Sequence, residues 1–191
     1  MKVTPSSALF VRANAHLEGI SAELDRARKS VRNMKDLEGN LQGERLEELK
    51  DALTDSIGRN LHGIYCEMES VFEDIARTVD GEVPSGPQWH SELLLQMSAE
   101  TSRRPPVIDP SLRLAVHDLM KFRHVFRKTY AEPLRRKDVL ACLKRTRDEI
   151  VPGVLAGLRG LEAWMQLEPS PAFATGDNDS TDSEETPELG I

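Results

Sequence analysis

Two long runs of apolar residues, recurring at threes and fours, constrain this chain more than any other feature. The first is Leu9, Ala13, Leu17, Ile20, Leu24, Ala27, Val31 and Met34. The second is Leu46, Leu49, Leu53, Ile57, Leu61, Ile64, Met68, Val71, Phe72 and Ile75. Such spacing gathers apolar side chains on one stripe of an α-helix and does not fit the two-residue alternation of a half-buried strand. Ser6 or Ser7 can cap the first helix, and Gly39 and Gly43 mark the turn before the second. Both helices exceed ordinary globular length. They are expected to form a long hairpin or coiled-coil arm that packs against a partner or a second subunit.

The rest of the chain continues in the same register of signals. The second helix should end near Asp80-Gly81, with Pro84 just beyond. Gly86-Pro87 opens a shorter helix through Trp89, Leu93, Leu94 and Met97, with Trp89 as a core anchor. Arg103 to Pro106 is a loop, because consecutive prolines exclude helix. Asp109-Pro110 is a helix start, Asp as N-cap and Pro in the first turn. That helix carries Leu112, Ala115, Leu119, Phe122 and Phe126 and exits at Pro133. A basic helix from Lys137 to Arg147 points Val139, Leu140 and Leu143 inward. A last helix, from about Pro152 to Leu167, carries Gly153, Gly157 and Gly160, which weaken its regularity. There is no alternating strand pattern and no internal repeat, so the fold class is all-α.

Charge is unevenly placed. The net charge is −7, which taken alone argues against a nucleic-acid partner. From Glu168 onward, however, the chain holds seven acids and no Lys or Arg, and the remainder balances at 25 basic and 25 acidic side chains. That Ser/Thr/Asp/Glu/Pro-rich end lacks apolar periodicity and reads as a disordered acidic tail. Between Lys121 and Arg147 ten basic residues face only Glu132 and Asp138, a local balance of +8, and a ligand feels the local field more than the global sum. Cys66 and Cys142 lie far apart, without metal-ligand spacing, and read as reduced, partly buried thiols. His16 and His117 have no convergent carboxylate or Cys spacing. Glu67, Glu69, Glu73 and Asp74 read as the polar face of an amphipathic helix, and His62 and Tyr65 as partly buried packing residues. No apolar run approaches membrane-spanning length, and no signal-peptide core follows Met1-Lys2-Val3. The expectation is a soluble cytoplasmic protein.

The chemistry-bearing segment is Lys121-Phe122-Arg123-His124-Val125-Phe126-Arg127-Lys128-Thr129-Tyr130. At about 100° per residue, Arg123, Arg127 and Tyr130 share a narrow sector with His124 and Lys128 beside it, while Phe122, Val125, Phe126 and Thr129 take the other side. One face is then expected to pack while the other presents cations and an imidazole to solvent. Guanidinium groups bind phosphate bidentately, so a phosphodiester suits that face. The plain alternative is a solvated basic face closing an ordinary bundle.

An ordered series of motifs resembles the HepT-like branch of the HEPN superfamily. It runs Leu61-His62-Gly63-Ile64-Tyr65-Cys66-Glu67-Met68-Glu69, Val71-Phe72-Glu73-Asp74-Ile75-Ala76, Asp80 to Gly86, Trp89-His90, Leu93-Leu94, Arg104-Pro105-Pro106-Val107-Ile108 and Phe122 to Arg127. The similarity spans roughly residues 46–165. It implies a small helical bundle that dimerises and, in many members, metal-independent ribonuclease activity held in check by a nucleotidyltransferase antitoxin. The family signature is Arg-x4-His-x-Tyr. Arg123 and Tyr130 match it, and Lys128 stands at the His position. The resemblance assigns phosphodiester chemistry to the Arg and His positions, and adenylylation by the partner to the Tyr.

Metal-free RNA cleavage needs a base for the 2′-hydroxyl, a cation for the phosphorane and an acid for the leaving oxygen. Arg123 is assigned to the phosphorane, His124 or Lys128 to proton transfer, Arg127 and Lys121 to phosphate binding, and Tyr130 to modification by the partner. Neither metal nor cofactor is expected. The domain reading is an N-terminal helical extension over 1–43, a HepT-like HEPN bundle over 44–167 and the acidic tail over 168–191. The functional expectation is a homodimeric ribonuclease toxin with a nucleotidyltransferase antitoxin. The alternative is a catalytically degenerate module that binds RNA, nucleotide or that partner without cleavage, and Lys128 favours it.

Overall fold

The computed structural model describes residues 5–128 and 134–167, the side chains of residues 5–7, 124, 125, 127 and 128 excepted. The expected acidic tail and Tyr130 lie outside the described residues. The described chain is all-α: α1 Pro5–Asn40, α2 Glu44–Ile75, α3 Trp89–Ser98, α4 Pro110–Lys128, α5 Arg136–Arg145 and α6 Val151–Leu167. Among these residues no helix is long and apolar enough to cross a membrane.

α1 and α2 form the long antiparallel hairpin that the periodicity predicts. The turn between them is short because Gly43 takes a positive φ of 74°, a region that non-glycine residues rarely occupy. On α1 a strict heptad repeat faces inward. Phe10, Leu17, Leu24 and Val31 alternate with Ala13, Ile20, Ala27 and Met34, the seam spacing of a coiled coil. On α2 the matching seam is Ile57, Leu61, Ile64, Met68, Val71 and Ile75, all fully buried. Polar pairs along one edge fix the register. Arg12 donates to Asp74 at 2.8 Å, His16 meets Glu67 at 2.7 Å, and Ser30 meets Ser56 at 3.2 Å.

α2 is buried on more than the face that α1 covers. Gly58, Tyr65 and Glu69 look toward α3 and α4, on the far side of the helix from Gly63, Glu67 and Asp74. The apolar seam lies between the two sets, so α2 is the central helix of the bundle. A sequence with one apolar stripe and two flanking contact edges looks merely amphipathic, so the periodicity alone puts Glu69 on the polar face.

Two π turns extend the helices. Ala76–Asp80 continues α2 and ends at Gly81 in the left-handed region, φ 80°; the expected stop at Asp80-Gly81 is where the helix ends. Thr146–Ile150 joins α5 to α6, so Arg136 to Leu167 is one continuous helical run rather than the two separate helices expected. Pro152 explains the wide turn. It has no N–H for the carbonyl four residues back and its ring crowds that carbonyl, and a π turn just before it relieves both.

The connection between α3 and α4 is held by a buried ion pair. Arg104, 1% exposed, donates through Nε and Nη2 to both carboxylate oxygens of Asp80, at 2.8 and 2.7 Å. Its remaining donors reach the carbonyls of Gln96 at 3.0 Å and Pro105 at 3.1 Å. The Val107 N–H then bonds Met97 O at 2.9 Å. Asp109 caps α4 by accepting the Leu112 N–H at 2.8 Å, as the Asp-Pro signal predicts. Cys66 and Cys142 are both half-buried and not joined to each other by a disulfide, and burial pushes Cys142 up to about 11, so it stays protonated.

Two of the three glycines of α6, Gly153 and Gly157, prove to be packing residues. A Cβ at Gly157 would stand 1.8 Å from the Val107 carbonyl oxygen, whereas one at Gly160 would meet nothing within 4 Å. Gly157→Ala should therefore cost at least about 1–3 kcal/mol through overpacking against backbone. Gly160→Ala should stabilise by up to about 1 kcal/mol through helix propensity. Urea denaturation of the two variants checks the pair, and equal effects would show that the α6–loop contact is not as close as described.

Candidate functional site

Three helices converge on the Glu69 carboxylate. Residue 69 falls on the second buried edge of α2, four residues after Tyr65 and three before Phe72, both buried. One oxygen, Oε2, accepts from Arg123 of α4 at 3.3 Å. The other, Oε1, is in short contact with Nδ1 of His90, in the first turn of α3. The Arg123 guanidinium also lies over the Tyr65 ring, 5.2 Å from its centroid, within cation–π range. Trp89 backs the His90 ring at a centroid distance of 3.7 Å and 32° between planes. Burial, reinforced by the adjacent Glu69 carboxylate, pushes the Tyr65 phenol well above its ordinary range, so it stays neutral.

The arrangement is preorganised and closed. Glu69 is 7% exposed and Arg123 9%. Arg123 Nε is buried with no hydrogen-bond partner among the described residues, a donor left over in a site that otherwise satisfies its charges. Among the described residues no group of His, Cys, Asp and Glu is placed to hold a metal ion.

This geometry corrects the expected solvent-facing placement of Arg123. Arg123 points into the bundle, while Phe122 and Phe126, expected inside, are only half-buried and stack at 6.5 Å. Lys121 is exposed, 3.7 Å from Asp118. His124, Arg127 and Lys128 lie on the last turns of α4, but their side chains, like Tyr130, are outside the described residues. The basic stretch is also less free than its composition suggests. Arg136 pairs with Glu47 and Asp51, Arg145 with Asp118 and Glu149, and Arg147 with Asp148. Glu69 and His90 were missed as site residues. The available signal was Glu69's place between two buried aromatics at helical spacing, which puts a carboxylate where a core residue belongs.

The HepT-like protein family model matches residues 56–152, just over half of the chain. The chain belongs to the HepT-like family. The matched region takes in Tyr65, Glu69, His90 and Arg123 and begins within α2, so α1 lies outside it. No curated protein and no solved structure matches the chain. In this HepT-like protein Arg123 is thus a buried, carboxylate-bound residue at a three-helix junction.

Breaking a buried ion pair on one side leaves an uncompensated charge. Glu69→Leu alone should destabilise the fold by roughly 3–5 kcal/mol. The double variant Glu69→Leu/Arg123→Met should recover most of that loss, because neither charge is then stranded. Chemical denaturation of the four-member cycle measures the coupling, and additive losses would show that the pair is not the unit described.

Proposed function

We propose that this HepT-like protein is an endoribonuclease of a toxin–antitoxin pair, cutting RNA without a metal at a site centred on Arg123. The observation that supports this reading is the placement of Arg123. The one arginine that matches the family motif is held rigid by Glu69 and Tyr65, beside an imidazole bound to the same carboxylate. A fixed guanidinium aimed at developing negative charge stabilises a phosphorane without reorganisation. Homodimerisation, which would bring two such sites together, belongs to the same proposal.

The test is cleavage of RNA by purified protein in excess EDTA, compared with Arg123→Lys. Lysine keeps the buried charge while losing the guanidinium fork, so it spares the fold better than alanine. Cleavage should persist in EDTA and fall by about 10²–10³ in the variant. The second reading, a degenerate module that binds without cutting, is favoured by Lys128. It would give salt-sensitive RNA binding with no cleavage by either protein.

The partner proposed is a nucleotidyltransferase-type antitoxin acting on Tyr130. An adenylyl group there adds bulk and a negative phosphodiester that competes with RNA phosphate for nearby cations. After co-expression with such an enzyme, peptide mapping should place the nucleotide on Tyr130, and RNA cleavage should be lost. A label elsewhere, or neutralisation without a label, would rule out this control.

A further inference from the structure

We propose that His90 of α3, and not the residue at the motif's histidine position, is the proton-transfer group of this site, oriented by Glu69. The inference rests on the ribonuclease reading above. It starts from a chemical gap. Lys128 occupies the motif's imidazole position, and an ammonium is a poor base at an ordinary pKa of about 10.4. The chain has five histidines. Of those whose side chains are described, His16 is committed to Glu67 on the α1 side of α2, and His62 lies beside Cys66 and Phe126. His117 is six residues before Arg123 on α4, about 240° around the helix from it. His90 alone among them shares a carboxylate with Arg123.

That shared carboxylate gives the chemistry its geometry. Glu69 holds His90 through one oxygen and Arg123 through the other, so imidazole and guanidinium are anchored on the same carboxylate. With Nδ1–H donated to Glu69, the lone pair of the neutral ring is on Nε2, and the carboxylate sets the tautomer and the direction in which Nε2 points. Trp89 fixes the plane of the ring. His90 and Arg123 keep 18% and 11% of their side chains exposed, and the proposal requires a phosphodiester to reach both through that part.

The step balances without an added reagent. His90 Nε2 takes the proton of the ribose 2′-hydroxyl, and the 2′ oxygen bonds to phosphorus. The bond from phosphorus to the 5′ oxygen breaks, and the leaving oxygen takes a proton from solvent. His90 then returns its proton to solvent, leaving a 2′,3′-cyclic phosphate and a 5′-hydroxyl. Arg123 faces the charge that develops on the phosphorane.

The test uses His90→Asn and His90→Gly in the full-length protein. Asparagine places an amide N–H where Nδ1–H stood, keeping the bond to Glu69 while removing the base. RNA cleavage should fall by about 10²–10⁴ in His90→Asn, with melting temperature and RNA affinity retained. Added imidazole should restore cleavage to His90→Gly and not to Arg123→Lys. Arg123-dependent cleavage that survives His90→Asn overturns the assignment of His90 and leaves the ribonuclease reading intact. A loss that imidazole does not restore makes His90 a structural prop and overturns the assignment as well. Absence of any Arg123-dependent cleavage by the unmodified protein overturns both.

Discussion

The Arg104–Asp80 ion pair is the contact on which the placement of everything after α2 depends. It is bidentate, with the Arg104 side chain fully buried, and the guanidinium spends its remaining donors on backbone carbonyls at the end of α3 and in the loop toward α4. Gln96 adds a bond from α3 to the same carboxylate at 2.7 Å. One side chain thus ties the C-terminal end of α2, the end of α3 and the approach to α4. A buried guanidinium is tolerated only when its charge and its N–H groups are matched, and here the matching partners come from three segments. The angle at which α3 and α4 lie against α2 follows from satisfying them.

The Glu69 cluster inherits that geometry. Its three contributors come from α2, α3 and α4, and only the relative placement of those helices brings His90 and Arg123 to opposite oxygens of one carboxylate. As a stabilising device the cluster is a poor choice, since well-packed apolar side chains of similar volume would serve at least as well. Holding a guanidinium and an imidazole at fixed separation is something apolar packing cannot do. Under the proposed function, that fixed separation is what the cost of burying these groups provides.

The electrostatics of α5 make a related point. Its basic composition suggested a strong positive field. In the fold, acidic residues of α2, α4 and the following π turn stand against it, within 2.5–3.1 Å of Arg136, Arg145 and Arg147. These exposed pairs contribute little to stability, but they remove much of the field that a count of charges implies. The cation with a defined place at the candidate site is the buried one, Arg123.

Helical class, the α1–α2 hairpin, the stop at Gly81, the Asp109 cap and membership of the HepT-like family were all legible in the sequence. Each rests on local spacing, on turn and capping chemistry, or on an ordered set of motifs that survives without knowledge of packing. The tertiary structure decided which way Arg123 faces, that Glu69 is a core residue, that His90 joins it, and that α5 runs unbroken into α6. One helix carries no mark of how many neighbours will cover it. α2 is contacted on two edges, so the same Glu that belongs on a solvent face in a two-layer arrangement becomes a buried hub in this one. Periodicity reports which residues share a face, and only the packing of α3 and α4 against α2 determines what that face meets.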